Sequence, residues 1–268
     1  MNLNLQPVIA DDSKANDRVD VWFVWNLVPE QVFGDCESLL SADEVGIARR
    51  FVFEHLRRDY VVSHAVLRVL TAQYMNCAPR ETAFSLGPNG KPAILGDTRL
   101  RFNMSHSGGL SAYAFALGCE IGIDIEQIRH LADRESIASQ NYSSGEVAAM
   151  LAIPDPEDQH EVFFRCWTRK EAYVKALGAG LSFPLDQFEV TVLRQDPPRL
   201  LRSSNDRDAV SDWTLHHLDP TPGFVGALAY RSTERSLQLK PLQSASTVLG
   251  LHLPGCLSTP FNKRADAF

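Results

Sequence analysis

The spacing of apolar residues changes several times along the chain, and each change marks an expected element. Residues 19–28 (VDVWFVWNLV) are β-branched and aromatic, the composition of a strand. From 56 to 75 (LRRDYVVSHAVLRVLTAQYM) the period is helical, with Val62, Val66, Val69, Leu70 and Tyr74 on one side. Ahead of it, Ser41-Ala-Asp-Glu44 has the serine–glutamate spacing of a capping box and opens a helix. Asn-Gly within GPNGKP (87–92) signals a hairpin turn. A strand is expected at 100–105, a tight turn at 106–109 (HSGG), and two alternating strands at 110–117 and 121–126. In the second half, SSGEVAAMLAI reads as a helix that stops at Pro154, and DPEDQ (155–159) as an acidic loop. Residues 161–177 predict a long helix ended by Gly178, and 186–193, 212–218 and 224–231 predict strands. Residues 1–18 are polar and expected to be loose. Residues 232–268, with Pro254 and Pro260, show no clear period and form an appendage of unassigned structure.

Composition narrows the class. The 268 residues carry 26 basic and 33 acidic side chains, a net charge of −7, with 44% hydrophobic and 22% charged residues. This excludes a disordered chain, a collagen-like chain and a generally basic nucleic-acid binder. The length suits one large domain or two packed lobes. No apolar run reaches the roughly 18 residues of a membrane span, and the N-terminus lacks the basic start and apolar stretch of a signal peptide. Cys36, Cys77, Cys119, Cys166 and Cys256 are scattered, with no C-x-x-C pair, so neither a disulfide framework nor a zinc site is indicated. The expectation is a reduced, cytoplasmic monomer whose partners include neither nucleic acid nor membrane.

Four short constellations carry candidate chemistry. In Gly122-Ile-Asp-Ile-Glu126, strand alternation turns Ile121, Ile123 and Ile125 to a core, and Asp124 and Glu126 together to the other face. Two carboxylates about 7 Å apart along a strand repel each other and make sense beside Mg2+, with a phosphate completing its shell. Taken alone, the pair is more simply the wet side of an exposed strand. On the long helix, Phe163, Trp167, Val174 and Leu177 make one face, and Thr168, Glu171 and Lys175 a neighbouring one. Glu171 and Lys175 have the i, i+4 order of a surface ion pair of about 0.3–0.5 kcal/mol. The alternative is a third carboxylate for the same metal with a lysine reaching a phosphate beside it. Ser105-His-Ser-Gly-Gly109 is either an ordinary Gly/Ser turn or a phosphate cradle of backbone N–H groups and a histidine. Gly90-Lys91-Pro92 follows a hairpin turn and is weak alone. Arg57, His64 and Arg68 share a helix face that reads as solvated or functional.

Read together, the four favour a site. A net-negative protein has no global attraction for a polyanion and needs a local basic pocket. Arg49, Arg50, Arg57, Arg58, Lys91, His106, Lys170 and Lys175 lie close to these motifs in sequence. Three acidic groups with several cations is the composition of a Mg2+–pyrophosphate site.

These segments, in this order, resemble the 4′-phosphopantetheinyl transferase superfamily, in particular its large surfactin-synthetase-activating (Sfp-like) branch. The matching segments are GKP (90–92), FNMSHS (102–107), GIDIE (122–126) and WTRKEAYVKALGAGL (167–181), with weaker fits in RRFVFEHLRRDY and HAVLR. Coverage runs from about residue 19 to about residue 231. GIDIE combined with W-x-x-K-E-A-x-x-K is highly specific; GKP or SHS singly is not.

The resemblance implies an α+β fold of two similar lobes, a pseudo-dimer within one chain, with lobes at 19–125 and 126–231 and coenzyme A between them. It implies transfer of the phosphopantetheine arm of coenzyme A to a serine of an acyl or peptidyl carrier domain, releasing adenosine 3′,5′-bisphosphate. Carriers of fatty-acid, polyketide and nonribosomal peptide synthesis all fit. By position, Asp124 and Glu126 resemble the family's Mg2+ ligands. Glu171 resembles the third acidic residue, a ligand and candidate base, and Lys175 the lysine on the pyrophosphate. Ser105 and His106 resemble the phosphate-binding pair; Lys91 and Pro92 lie in the segment lining the adenosine, and Lys170 belongs to the same basic set. Some relatives hold the 3′-phosphate with lysines ahead of the Arg-Arg-Phe segment. Here Glu44 and Ile47 occupy those places, so Arg49, Arg50 or Arg57 is expected to substitute. The other reading is a non-catalytic module of the same fold that binds coenzyme A or a carrier.

Overall fold

The computed structural model describes residues 17–96, 98–180, 183–204, 209–232 and 235–251. The N-terminal stretch expected to be loose lies almost wholly outside them, as do Cys256, the proline-marked tail beyond 251, and Leu181 of the long motif. In the first half, β1 (Arg18–Trp25) leads to α1 (Glu30–Leu39), α2 (Ala42–Ala48) and α3 (Glu54–Met75). A hairpin of β2 (Phe84–Leu86) and β3 (Pro92–Ile94) precedes β4 (Leu100–Ser107) and β5 (Leu110–Leu117). The second half comprises β6 (Ile121–Gln127), α4 (Arg134–Asn141), α5 (Ser144–Leu151), α6 (Pro156–Leu177), β7 (Phe188–Val190), β8 (Leu200–Ser203), β9 (Trp213–Leu218) and β10 (Phe224–Arg231). The chain then forms β11 (Ser236–Leu239), β12 (Gln243–Ser244) and α7 (Ala245–Val248). None of the described helices is long and apolar enough to cross a membrane.

Two sheets define the α+β architecture. The first runs β11-β1-β5-β4, with β12 also on β1; the second runs β6-β10-β9. Each half lays one 22-residue helix on its own sheet, α3 on the first and α6 on the second. The remaining faces of the two sheets pack on each other. Val19, Val21 and Phe23 of β1 and Leu110, Ala112 and Ala114 of β5 meet Ile121, Ile123 and Ile125 of β6. The first sheet is thus covered on both sides, which explains why β5 (LSAYAFAL) is buried almost throughout instead of alternating. Its Tyr113 and Phe115 face α3, while the small residues between them face the second sheet.

Local signals behave as their chemistry dictates at most boundaries. Ser41 and Glu44 form the capping box, and Gly90 (φ 83°) turns the β2–β3 hairpin. The structure departs from the expectations, or adds to them, at four places. The acidic stretch 155–159 is no loop: Asp155 caps α6 by accepting from the Glu157 N–H, and Pro156 opens the helix, where its missing N–H costs nothing. The short, charged α4 carries too little apolar periodicity to be read from sequence. The unassigned segment after 231 returns to the first half: β11 and β12 pair parallel with β1, and Ala245 and Val248 of α7 enter the core beside α3. Finally, β6 runs straight through the expected lobe boundary at 125/126. Sheet membership changes instead between β5 and β6, at 118–120.

Candidate active site

The two sheets meet along β4 and β6, and this seam builds the site. Backbone ladder bonds do not join the strands; side chains do. Asn103 Oδ1 accepts from the Ile123 N–H (2.8 Å), Ser105 Oγ from the Ile125 N–H (3.3 Å), and Ser107 Oγ from the Gln127 N–H (3.2 Å). Residues 103, 105 and 107 recur with the strand period, so all three reach the same neighbour. The extra width opens a cleft of about 740 Å3. The same serines hold the acids of β6: Ser105 Oγ donates to Asp124 Oδ1 (2.8 Å) and Ser107 Oγ to Glu126 Oε2 (2.7 Å).

Helix α6 supplies the opposite wall because Gly122 lets it approach. A Cβ on Gly122 would lie 2.1 Å from the Ala172 carbonyl oxygen and 2.4 Å from the Ala176 nitrogen. Lys175 then reaches across: Nζ donates to Asp124 Oδ1 (2.6 Å), Ser105 Oγ (3.2 Å) and the Ile123 carbonyl (3.3 Å). Glu171, one turn earlier, faces the same cleft. The surface ion pair suggested by the Glu171/Lys175 spacing is replaced by this pair between α6 and β6, since β6 offers a buried carboxylate nearer at hand.

Burial, and next the Asp124 carboxylate, hold Glu171 above the usual carboxylate range, with Lys175 opposing. Burial also raises Glu126, with its Ser107 hydrogen bond opposing and Asp124 adding. The three acids therefore act on one another electrostatically. Asp124 is 5% exposed, and its Oδ2 is a buried atom with no hydrogen-bond partner. An orphaned carboxylate oxygen beside two acids whose ionised forms burial disfavours fits a hard divalent cation. Yet no three His, Cys, Asp or Glu side chains among the described residues stand close enough to enclose a metal. The expected triad shares a cleft without forming a closed ligand set, so ligand oxygens would have to complete a cation's shell.

The remaining expected residues divide. Lys91 and Pro92 line the cleft. Lys91 also spans the halves, donating to Glu120 (3.1 Å) and to the carbonyls of Ile121 (3.1 Å) and Ala176 (3.0 Å). His106 stands exposed on the rim, where desolvation by the cleft walls and then Lys175 hold it below the ordinary histidine range. It belongs to β4, paired opposite Ser111. The expected backbone cradle at 105–109 is therefore not a turn: its first three residues form strand, and side chains line the cleft instead.

Lys170 is not in the cleft. It is wholly buried, paired with Glu146 (2.8 Å) and donating to the carbonyls of Leu185 (2.8 Å) and Phe188 (2.7 Å). We expect Lys170→Met to destabilise the fold by about 3–5 kcal/mol, because it strands the buried Glu146 carboxylate. Urea denaturation measures this, and coenzyme A affinity per folded molecule should stay unchanged. Arg57 pairs with Glu37 and Glu54, and exposed Arg49 and Arg50 lie beyond the cleft lining. The face shared by Arg57, His64 and Arg68 is no solvated stripe: Arg68 is buried against Glu44 (2.7 Å), and His64 lines the cleft. Glu44 is thereby committed to a structural pair. Asn103, Ser107 and Trp167 also shape the cleft; the alternation 103/105/107 was the available signal for the first two.

Fold and site define a two-lobed α+β protein whose interlobe cleft sets a lysine among three carboxylates. A family model described as the 4′-phosphopantetheinyl transferase superfamily matches residues 120–229. The chain is 34% identical to the 4′-phosphopantetheinyl transferase HetI of Nostoc sp., over 80% of this chain and 88% of that one. It is 32% identical to the 4′-phosphopantetheinyl transferase Sfp of Bacillus subtilis, over 59% and 69%. Against the Bacillus pumilus 4′-phosphopantetheinyl transferase psf-1 it is 28% identical, over 81% and 84%. The chain belongs to the 4′-phosphopantetheinyl transferase superfamily and is an enzyme of that kind.

Proposed function

We propose that the enzyme moves the phosphopantetheine arm of coenzyme A to a serine hydroxyl of an acyl or peptidyl carrier domain, with Mg2+ required and adenosine 3′,5′-bisphosphate released. The observation that carries this reading is the helix–strand pair of Lys175 on α6 with buried Asp124 on β6, in the cleft that also presents Glu126, Glu171 and His106. Asp124 through its orphaned Oδ2, with Glu126 and Glu171, would hold the ion, which supplies charge neutralisation on the pyrophosphate oxygens.

The chain's own groups do the rest. Glu171, half-buried and held above the usual carboxylate range, takes the proton of the carrier serine. The serine oxygen forms a bond to the phosphorus nearer pantetheine. The bond from that phosphorus to the bridging oxygen breaks, and the bridging oxygen leaves on the adenosine 5′-phosphate. Lys175 steadies the departing charge. Its three protons are already spent on Asp124, Ser105 and Ile123, so it must give up one partner to reach a phosphate. His106 on the rim adds a polar contact at the same end of the cleft.

Mass spectrometry of apo carrier domains incubated with coenzyme A, Mg2+ and the enzyme tests the proposal. One phosphopantetheine is expected on the carrier serine, with adenosine 3′,5′-bisphosphate as co-product. Turnover should fall at least about a hundredfold in EDTA and return with added Mg2+. Turnover undiminished by EDTA would refute the requirement for Mg2+, and a carrier left unmodified would refute the transfer.

A further inference from the structure

The corner between α2 and α3 leaves a run of apolar side chains in solvent. Val52 is 90% exposed and Phe53 61%, and Ile47, Phe51 and Leu56 are exposed beside them. Large apolar groups clustered within ten residues are unusual on a solvated surface and mark a place that another surface covers. Two guanidiniums frame the run. Arg49 and Arg50 are exposed and form no ion pair among the described residues. The neighbouring arginines are already satisfied, Arg57 by Glu37 and Glu54, and Arg58 by Glu30. The exposed acid of α2, Asp43, lies in its first turn, where the helix dipole favours it.

This corner is physically continuous with the cleft. The Phe51 ring lies 5.5 Å from Tyr60, Tyr60 stacks on His64 at 3.8 Å, and His64 lines the cleft. Ile47, Tyr60 and His64 also wall a second hollow of about 870 Å3, which shares His64, Pro92 and Met104 with the first. A partner seated on the corner would therefore stand at the cleft's entrance.

We propose that this corner docks the carrier domain, through an acidic, partly apolar surface on that domain; the proposal rests on the function proposed above. Charge complementarity selects the occupant. The enzyme's net charge of −7 repels an acidic partner at long range, so recognition needs a local pair of uncommitted cations beside apolar contact area. Arg49 and Arg50 provide the first, and Phe51, Val52 and Phe53 the second. Desolvated apolar anchors ringed by charge are the general form of a transient interface.

Steady-state kinetics with apo acyl and peptidyl carrier domains test this. In Val52→Asp/Phe53→Asp, the KM for carrier should rise about tenfold or more, with kcat and coenzyme A affinity within about twofold of wild type. The positions are exposed, so the melting temperature should hold. In Arg49→Glu/Arg50→Glu, the KM for carrier should also rise, and added salt should now raise kcat/KM, because two attractive charges have become repulsive. Modification by both variants at wild-type carrier KM overturns the docking site while leaving the transfer reaction standing. If the wild type modifies no carrier, the reaction itself fails and the docking site falls with it. A rise in the KM for coenzyme A instead would assign the corner to that ligand. A wild-type dimer dispersed by Val52→Asp/Phe53→Asp would assign it to a second copy, and loss of binding to anionic lipid vesicles to a membrane. Each of these three outcomes overturns the proposal.

Discussion

Asp124→Asn is expected to lower transfer by at least about a hundredfold while the protein stays folded. Asparagine keeps the shape and an oxygen that accepts from Ser105, so the β4–β6 seam persists. What it removes is the negative charge that positions Lys175 at 2.6 Å and the carboxylate character of the orphaned Oδ2. Lys175 then has no ion-pair partner among the described residues, and the cation site loses its most buried oxygen. The measurement is carrier modification under saturating coenzyme A, paired with a thermal melt. Activity within twofold of wild type would refute the central role of the Asp124–Lys175 pair. Glu171→Gln should lose activity comparably with less effect on stability, because Glu171 makes no hydrogen bond among the described residues and is half-buried.

Gly122→Ala should be the most damaging single-methyl change in the fold. The added Cβ meets backbone atoms of Ala172 and Ala176, which cannot rotate away as a side-chain tip could. Overpacking of this kind costs about 1–3 kcal/mol, and the 2.1 Å approach to a carbonyl oxygen puts this position at or above the upper end. Relief requires α6 to move off β6, which carries Glu171 and Lys175 away from Asp124. Stability and transfer should therefore fall together. Gly34→Ala is the control: it lies in α1 with nothing within 4 Å of the added carbon, and should be neutral or stabilising by about 0.5–1 kcal/mol. Denaturant midpoints for the two variants compare them directly. A Gly122→Ala protein as stable as wild type would show that the strand–helix contact is looser than its geometry implies.

Legibility in the sequence follows the range of the interaction. Ile121, Ile123 and Ile125 against Asp124 and Glu126 is a two-residue alternation, and the structure sorts these residues as the alternation requires. The capping box at Ser41 and the stop at Gly178 are equally local. Lys170 and Lys175 show the opposite case. Both lie in one helical motif, five residues apart, and composition treats them alike. A five-residue step is a rotation of about 140° from one face of a helix to another, so Lys170 turns into the second-half core beside Glu146 while Lys175 turns into the cleft. Only the elements packed on each face separate a structural lysine from a functional one.

The same reasoning covers the C-terminal segment. Ser236–Leu239 alternates polar and apolar over only four residues, too short a run to mark a strand, and β11 is a largely exposed strand whose order comes from pairing with β1. An edge partner more than 200 residues away leaves no trace in local periodicity.

By itself the sequence determined the strand and helix faces, the acidic and basic residues able to handle a pyrophosphate, and the motifs that resemble one enzyme family. Those properties are set within a few residues, by backbone period and side-chain chemistry. Tertiary structure decided which groups meet: that β4 and β6 join through Asn103, Ser105 and Ser107, that Gly122 admits α6, and that Lys175 rather than Lys170 faces Asp124. These contacts arise between segments distant in the chain, where the geometry of packing, not local preference, fixes the partner.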